Sequence, residues 1–239
     1  MNVMQKGDIV LVNFTGKESE SKMVFDTTDE KIAKQSGIFR ENHVFRPIPI
    51  VIGNGELILG LEEGLLQMKE GEEKKLEIPH QKAFGERRKE LVAVVPLQQF
   101  RKQKLNPVPG MIVEINNRPA RVQTISGGRV RIDFNSELAG KKVEYDIKIE
   151  KHVKEPKEQV DVFLEKFFPF KEKSPKAKIS GEELEITFQQ ELPQGFDVLK
   201  KAFAKVITDS VKGIKKVRFT EEFAKEKDAK QEKKESQNA

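Results

Sequence analysis

Apolar and polar residues alternate from Lys6 to Thr15 as they do along a half-buried strand. Ile9, Leu11 and Asn13 fall on one side and Val10, Val12 and Phe14 on the other, and Gly16 is expected to end the element. A polar turn leads to a second short strand within Met23–Thr28, and a helical turn is predicted at Glu30–Gln35 inside a long loop that reaches Arg46. Ile48 to Ile52 is an apolar run too short for a helix. It ends at Gly53 and Gly55, so it reads as a strand entering a turn. From Glu56 the period changes: Leu57, Ile58, Leu61, Leu65 and Met68 recur at helical spacing, with Glu62, Glu63 and Lys69 on the other face. This predicts one amphipathic helix stopped by Gly71, followed by a strand over Lys75–Pro79.

Farther along, strands are predicted at Met111–Ile115, Ala120–Ile125 and Arg129–Phe134, separated by turns at Asn116-Asn117 and Gly127-Gly128. Lys141–Glu150 alternates as a closing strand, and His152–Gln159 reads as a linker. Beyond it come a helix over Val160–Phe168, one or two strands in Lys178–Phe188, a helix over Phe196–Ser210 and a strand over Ile214–Phe219. The tail after Phe223 has almost no apolar residues and is expected to be disordered. The domains expected are 1–87 with 132–153, an inserted lobe at 88–131, a module at 157–224 and a charged tail at 225–239.

A chain of 239 residues has room for two or three small cores. With no cysteine there is no disulfide, and no segment has the length of a signal peptide's apolar core or of a membrane span, so a soluble, cytoplasmic protein is expected. The net charge of +5 comes from 44 basic and 39 acidic residues mixed along the chain, a pattern of solvated surface and not of polyanion binding. His43, His80 and His152 each stand without Cys or a second His nearby, so no metal site is expected and His43 reads as a surface residue. Gly53 and Gly55 do not open a dinucleotide motif, because that pattern needs glycine where Ile58 stands.

The ordered stretch VIGNGELILGLEEGLLQMKEGEEKKLEIP followed by AFG resembles the central segment of FKBP-type peptidyl-prolyl cis/trans isomerases, and Phe25-Asp26 after the first hairpin repeats that family's aromatic-aspartate pair. The resemblance implies an α+β fold: a bent antiparallel sheet with a short helix in its mouth, a β-rich lobe inserted in the flap, and a C-terminal α+β module. It implies isomerisation of X-Pro bonds without metal or cofactor, in a pocket lined by Phe14, Phe25, Leu57, Ile58, Leu61, Phe84 and Tyr145, with Asp26 as its polar group. Taken one by one, the apolar residues would be ordinary core, and Asp26 an ordinary turn or cap residue. Two departures from the family pattern stand out: Phe84 replaces the usual tyrosine of the turn, and Leu61 a frequent tryptophan.

The insert, with its return segment RVRIDFNSELAGKKVEYDIKI, resembles the flap domain of the SlyD-like and archaeal long-type branch. That implies a lobe that holds unfolded polypeptide through Val94, Val95, Leu97, Phe100, Leu105, Val108 and Met111. The same residues, with Val92, are equally well read as the lobe's own core. The branch further implies self-association through the C-terminal module, while the His- and Cys-rich metal tail found in some members is absent. The partners expected are unfolded or proline-containing polypeptides, with no membrane and no nucleic acid. Arg118, Arg121, Arg129 and Arg131 would favour nucleic acid only if stacking aromatics accompanied them. The runner-up function is a holdase chaperone whose isomerase pocket has decayed.

Overall fold

Strand β1 (Ile9–Glu18) sends its two rows of side chains into two different cores. Val10 and Val12 are fully buried on one face, while Ile9, with Leu11 beside it, packs the opposite one. The computed structural model describes residues 3–41, 43–170 and 174–223, and the tail predicted to be disordered lies outside the described residues. β1 pairs antiparallel with β9 (Val143–Val153) along its whole length. β2 (Val24–Thr27) and β3 (Ile48–Val51) take the two ends of its other edge, and β4 (Glu73–Ile78) lies outside β9. The result is the five-stranded antiparallel sheet of the expected α+β architecture.

Gly16 does not end the first strand, which runs through it to Glu18. Glycine stands there for space. A Cβ on it would sit 2.8 Å from the Phe25 ring and 2.9 Å from that of Tyr145.

Helix α2 (Leu59–Leu65) crosses the sheet with Leu61 and Leu65 buried. It is shorter than the periodicity predicts. Ile58 precedes it in an extended conformation, and Leu66 to Met68 tighten into a turn in which the Gln67 and Met68 N–H groups donate to Gly64 and Leu65. Leu57, Ile58 and Met68 are apolar for a different reason: the first two border the core and Met68 is fully buried in it. Cβ atoms on Gly60 and Gly64 would run into the Ile78 and Leu76 side chains, so the helix backbone rests directly on β4.

Between β4 and β9 the chain builds a second antiparallel sheet, in the order β5 (Val92–Pro96), β8 (Arg129–Asp133), β7 (Arg118–Ser126) and β6 (Ile112–Ile115). Its two hairpins are the predicted ones, with φ of 51° and 58° at Asn116 and Asn117 and of 57° and 72° at Gly127 and Gly128, the left-handed pair that a two-residue hairpin turn requires. β5 and helix α3 (Leu97–Lys102) lie outside the predicted elements, because the run Val92–Val95 carries no alternation and becomes a strand only by pairing with β8. At the neck, Asn135 accepts from the Arg88 N–H and donates to the Arg88 carbonyl, 2.9 Å each. Asp133 beside it accepts from Asn135, Gln123 and Arg87.

The predicted linker at His152–Gln159 is not one. β9 continues to Val153, and helix α4 (Pro156–Phe167) begins at Pro156, whose fixed φ and missing N–H suit a first helical position. Helix α5 (Phe196–Ser210) and the sheet of β10 (Lys176–Ser180), β11 (Glu183–Phe188) and β12 (Lys216–Glu221) complete the module. Phe163 of α4, Ile186 of β11 and Phe203 of α5 share one core with Ile9, Val51 and Val153 of the first sheet. Ion pairs of Arg46 with Glu165 at 2.6 Å and Lys166 with Glu56 at 2.9 Å cross the same junction. The module is therefore docked on the back of the first sheet.

Candidate active site

Strand alternation alone would place Phe25 and Asp26 on opposite faces. The register between β1 and β2 slips, however: Gly16 lies opposite Asp26 and Lys17 opposite Val24, leaving Phe25 as the extra residue of a bulge. Its ring therefore lies against Gly16, on the face that Asp26 shares. Thr27, on the other face, is held by a hydroxyl hydrogen bond with Thr15 at 2.8 Å.

Across β1 from Asp26, Gly16 pairs with Tyr145 of β9. Phe25 stands edge-on to both Tyr145 and Phe84, with ring centroids 5.7 Å apart in each pair. Phe14 tilts against Tyr145 at 5.9 Å. Leu61 is buried in the core that these rings border, and Leu57 and Ile58 pack half-buried against it. The seven apolar residues predicted for the pocket thus belong to one cluster. That cluster is the core of the first sheet, and it also holds residues never named for the pocket, among them Met4, Val10, Leu65 and Ile147.

Asp26 is solvent-exposed as a residue, yet enough protein crowds its carboxyl that burial pushes it above the ordinary carboxylate value, against the pull of the Thr27 N–H and of the nearby His43 and Arg40 side chains. Burial, and after it the charge of Asp26, holds the Tyr145 phenol well above its usual value. That hydroxyl stays protonated and can donate. It gives the cluster a donor that Phe84 lacks.

His43 is exposed, as expected, but it is not isolated. It packs edge-on to Phe45 at 4.7 Å, Phe45 stacks on Phe39 at 5.5 Å, and the histidine is near enough to Asp26 to act on its charge. His80 and His152 face Glu86 at 3.9 Å and Asp8 at 3.5 Å, and among the described residues no three His, Cys, Asp or Glu side chains are grouped to hold a metal. A cavity of about 830 Å³ opens on the far face of the sheet, beside helix α1 (Glu30–Gln35). Its lining mixes Ile32, Phe45 and Pro47 with Lys17, Asp146 and Lys148, and these three charged groups are engaged in ion pairs.

The structure divides the residues named for the lobe. Phe100 is buried at its centre, and Val95, Leu97, Leu105 and Met111 pack partly buried around that core. Val94 and Val108 stand open, 60% and 52% exposed. The half-buried Val92 lies near the neck. Phe100 cannot meet a client chain without unfolding the lobe, because α3 turns it inward against the sheet.

Comparison with known proteins places two family profiles on the chain. That of FKBP-type peptidyl-prolyl cis-trans isomerases matches residues 2–98, and that of the FKBP26 IF domain matches residues 93–138. A short-type peptidyl-prolyl cis-trans isomerase of Methanocaldococcus jannaschii is 36% identical over 149 residues, covering 62% of this chain and 94% of that protein. A probable FKBP-type 16 kDa peptidyl-prolyl cis-trans isomerase of Pseudomonas fluorescens is 32% identical over 108 residues, 43% of this chain and 71% of that one. The isomerase SlyD of Treponema pallidum is 29% identical over 122 residues, 47% and 65% of the two chains.

Proposed function

Because the chain belongs to the FKBP-type peptidyl-prolyl cis-trans isomerase family, we propose that the aromatic cluster of Phe14, Phe25, Phe84 and Tyr145, with Ile58 against the same core, seats the proline ring of its substrate and that Asp26 and the Tyr145 hydroxyl act on the turning amide. Rotation about an X-Pro bond faces a barrier of roughly 18–20 kcal/mol and takes tens of seconds unaided. Resonance separates charge between amide oxygen and nitrogen, and the separation is lost as the bond twists. Water stabilises the planar form. An apolar seat withdraws that stabilisation, so the twisted state gains relative to the planar one without any covalent step. A fixed carboxylate at the mouth adds a field that favours one distribution of charge over the other.

The observation that carries this reading is the convergence of Phe25, Phe84 and Tyr145 on the face shared with Asp26. It is tested by the rate of cis-to-trans conversion in a short proline peptide with the full chain added. No acceleration at any enzyme concentration would end it. A holdase with a decayed pocket has less support, since Tyr145 returns to the cluster the hydroxyl that Phe84 leaves out.

The lobe is assigned to holding partly folded polypeptide near the pocket, through exposed surface such as Val94 and Val108. Replacing residues 89–134 by a short linker between the Arg88 and Asn135 ends should leave peptide turnover within about twofold. Catalysed refolding of a proline-limited protein should fall roughly tenfold or more, because tethering raises the client's effective concentration at the pocket. Equal refolding rates with and without the lobe would remove that role. The absence of cysteine fits a cytoplasmic setting, and among the described residues no helix is long and apolar enough to cross a membrane. Self-association is assigned to α5, where Val198 is 71% exposed and Leu199 37%. Light scattering should then give twice the monomer mass, and the monomer value would refute it.

A further inference from the structure

The charge of the chain is less evenly spread than its composition indicates. Residues 88–131 carry nine Lys and Arg against two Asp and Glu, a net of +7, so the remainder nets −2 within the total of +5. The expectation of a finely mixed surface fails for the lobe.

The register shows where part of this charge lies. Val94 pairs with Arg131 and Arg131 with Thr124, while Pro96 pairs with Arg129 and Arg129 with Ser126. All six are exposed, on the face turned away from Val95, Val130 and Ile132. Arg121 continues this face toward Ile112, which is 63% exposed. Arg121 pairs with Glu137, whereas Arg129 and Arg131 have no acidic partner among the described residues.

We infer that this outer sheet face binds acidic, extended polypeptide segments. Arg129 and Arg131 are two residues apart on one strand, about 6.7 Å, which is also the spacing of alternate side chains in an extended chain. A segment with carboxylates at every second position can meet both guanidiniums at once, and its intervening apolar groups have Val94 beside them. The charge complementarity selects an acidic occupant. Nucleic acid is the poorer fit because the face offers no ring for stacking: Phe100 is buried, and Arg118 covers Phe134 with 5.0 Å between guanidinium and ring. The inference deepens the polypeptide-holding role of the lobe and rests on it. It adds a preference by charge, on a surface separate from the proline pocket.

The test uses the full chain and labelled proline-free peptides of alternating Glu and Val, or Gln and Val, beside a ribo-oligonucleotide of equal length. The Glu peptide should bind about tenfold more tightly than the Gln peptide at low salt, and the gap should close near 1 M, where screening shortens to about 3 Å. Arg129→Ser with Arg131→Ser should abolish the gap while leaving turnover of a proline peptide unchanged. Arg129→Glu with Arg131→Glu should shift preference to a Lys and Val peptide. Equal binding of the Glu and Gln peptides would overturn the inference while sparing the holding role, and binding of neither would overturn both. A tighter hold on the oligonucleotide, or a gap that survives in the arginine variants, would overturn it as well.

Discussion

Replacing Asp26 by alanine should lower kcat/KM for proline-peptide isomerisation by about 10- to 100-fold, the range expected when one charged interaction with the turning amide is lost. The residue stands at the mouth of the aromatic cluster, with its carboxyl crowded enough to be pushed above the ordinary value. The direction of that shift fixes the pH dependence. Activity should fall on the acid side through a midpoint raised above the ordinary aspartate value, as the carboxylate is protonated, and this limb should vanish in Asp26→Asn. Stability runs the other way. A carboxyl with a raised folded value favours folding while it is protonated. Relative to Asp26→Asn, the parent should therefore lose stability as pH rises from the unfolded value through the folded one. Isomerisation by Asp26→Ala within twofold of the parent would remove the carboxylate from the mechanism.

The second large effect should come from Gly64→Val. A Cβ at this position runs into the Leu76 side chain of β4, and valine adds two methyl groups to the same contact. Overpacking of this kind costs about 1–3 kcal/mol, which for a chain of this size is a fall in Tm of several degrees. Gly64→Ala separates two opposed effects, since alanine favours the helix by about 0.5–1 kcal/mol but still meets Leu76. A net loss of stability in that variant means the contact outweighs the propensity. A rise in Tm for both variants in thermal unfolding would show that α2 does not rest on the strand. Because α2 also carries Leu61 into the core that the rings share, activity in Gly64→Val should fall further than its stability alone explains.

Short-range rules made several elements legible. The helix at Phe196–Ser210 and the helical turn at Glu30–Gln35 match the predicted residues, because each combines apolar period and boundary signals within its own length. Likewise, Asn116-Asn117 and Gly127-Gly128 announce hairpins through the conformations those residues tolerate. The helix at Leu59–Leu65 came out shorter than its periodic pattern because Leu57, Ile58 and Met68 are apolar for the core and not for a helix. β5 escaped because its pairing partner lies some 35 residues away along the chain.

The candidate site follows the same division. The resemblance carried by the ordered central stretch pointed to Phe14, Phe25, Phe84 and Tyr145, whereas burial preference and local conformation, which belong to each residue and its immediate neighbours, pointed only to a sheet with a short helix across it. Whether those rings meet was decided by the slip in register that turns Phe25 and Asp26 to one face, and by the absence of a side chain at Gly16. The docking of the C-terminal module on Ile9 and Val153, and the gathering of Arg129 and Arg131 beside Val94, were decided in the same way. These are relations between segments far apart in the chain. Strand pairing and close packing create them only once the whole chain has closed, so no local pattern contains them.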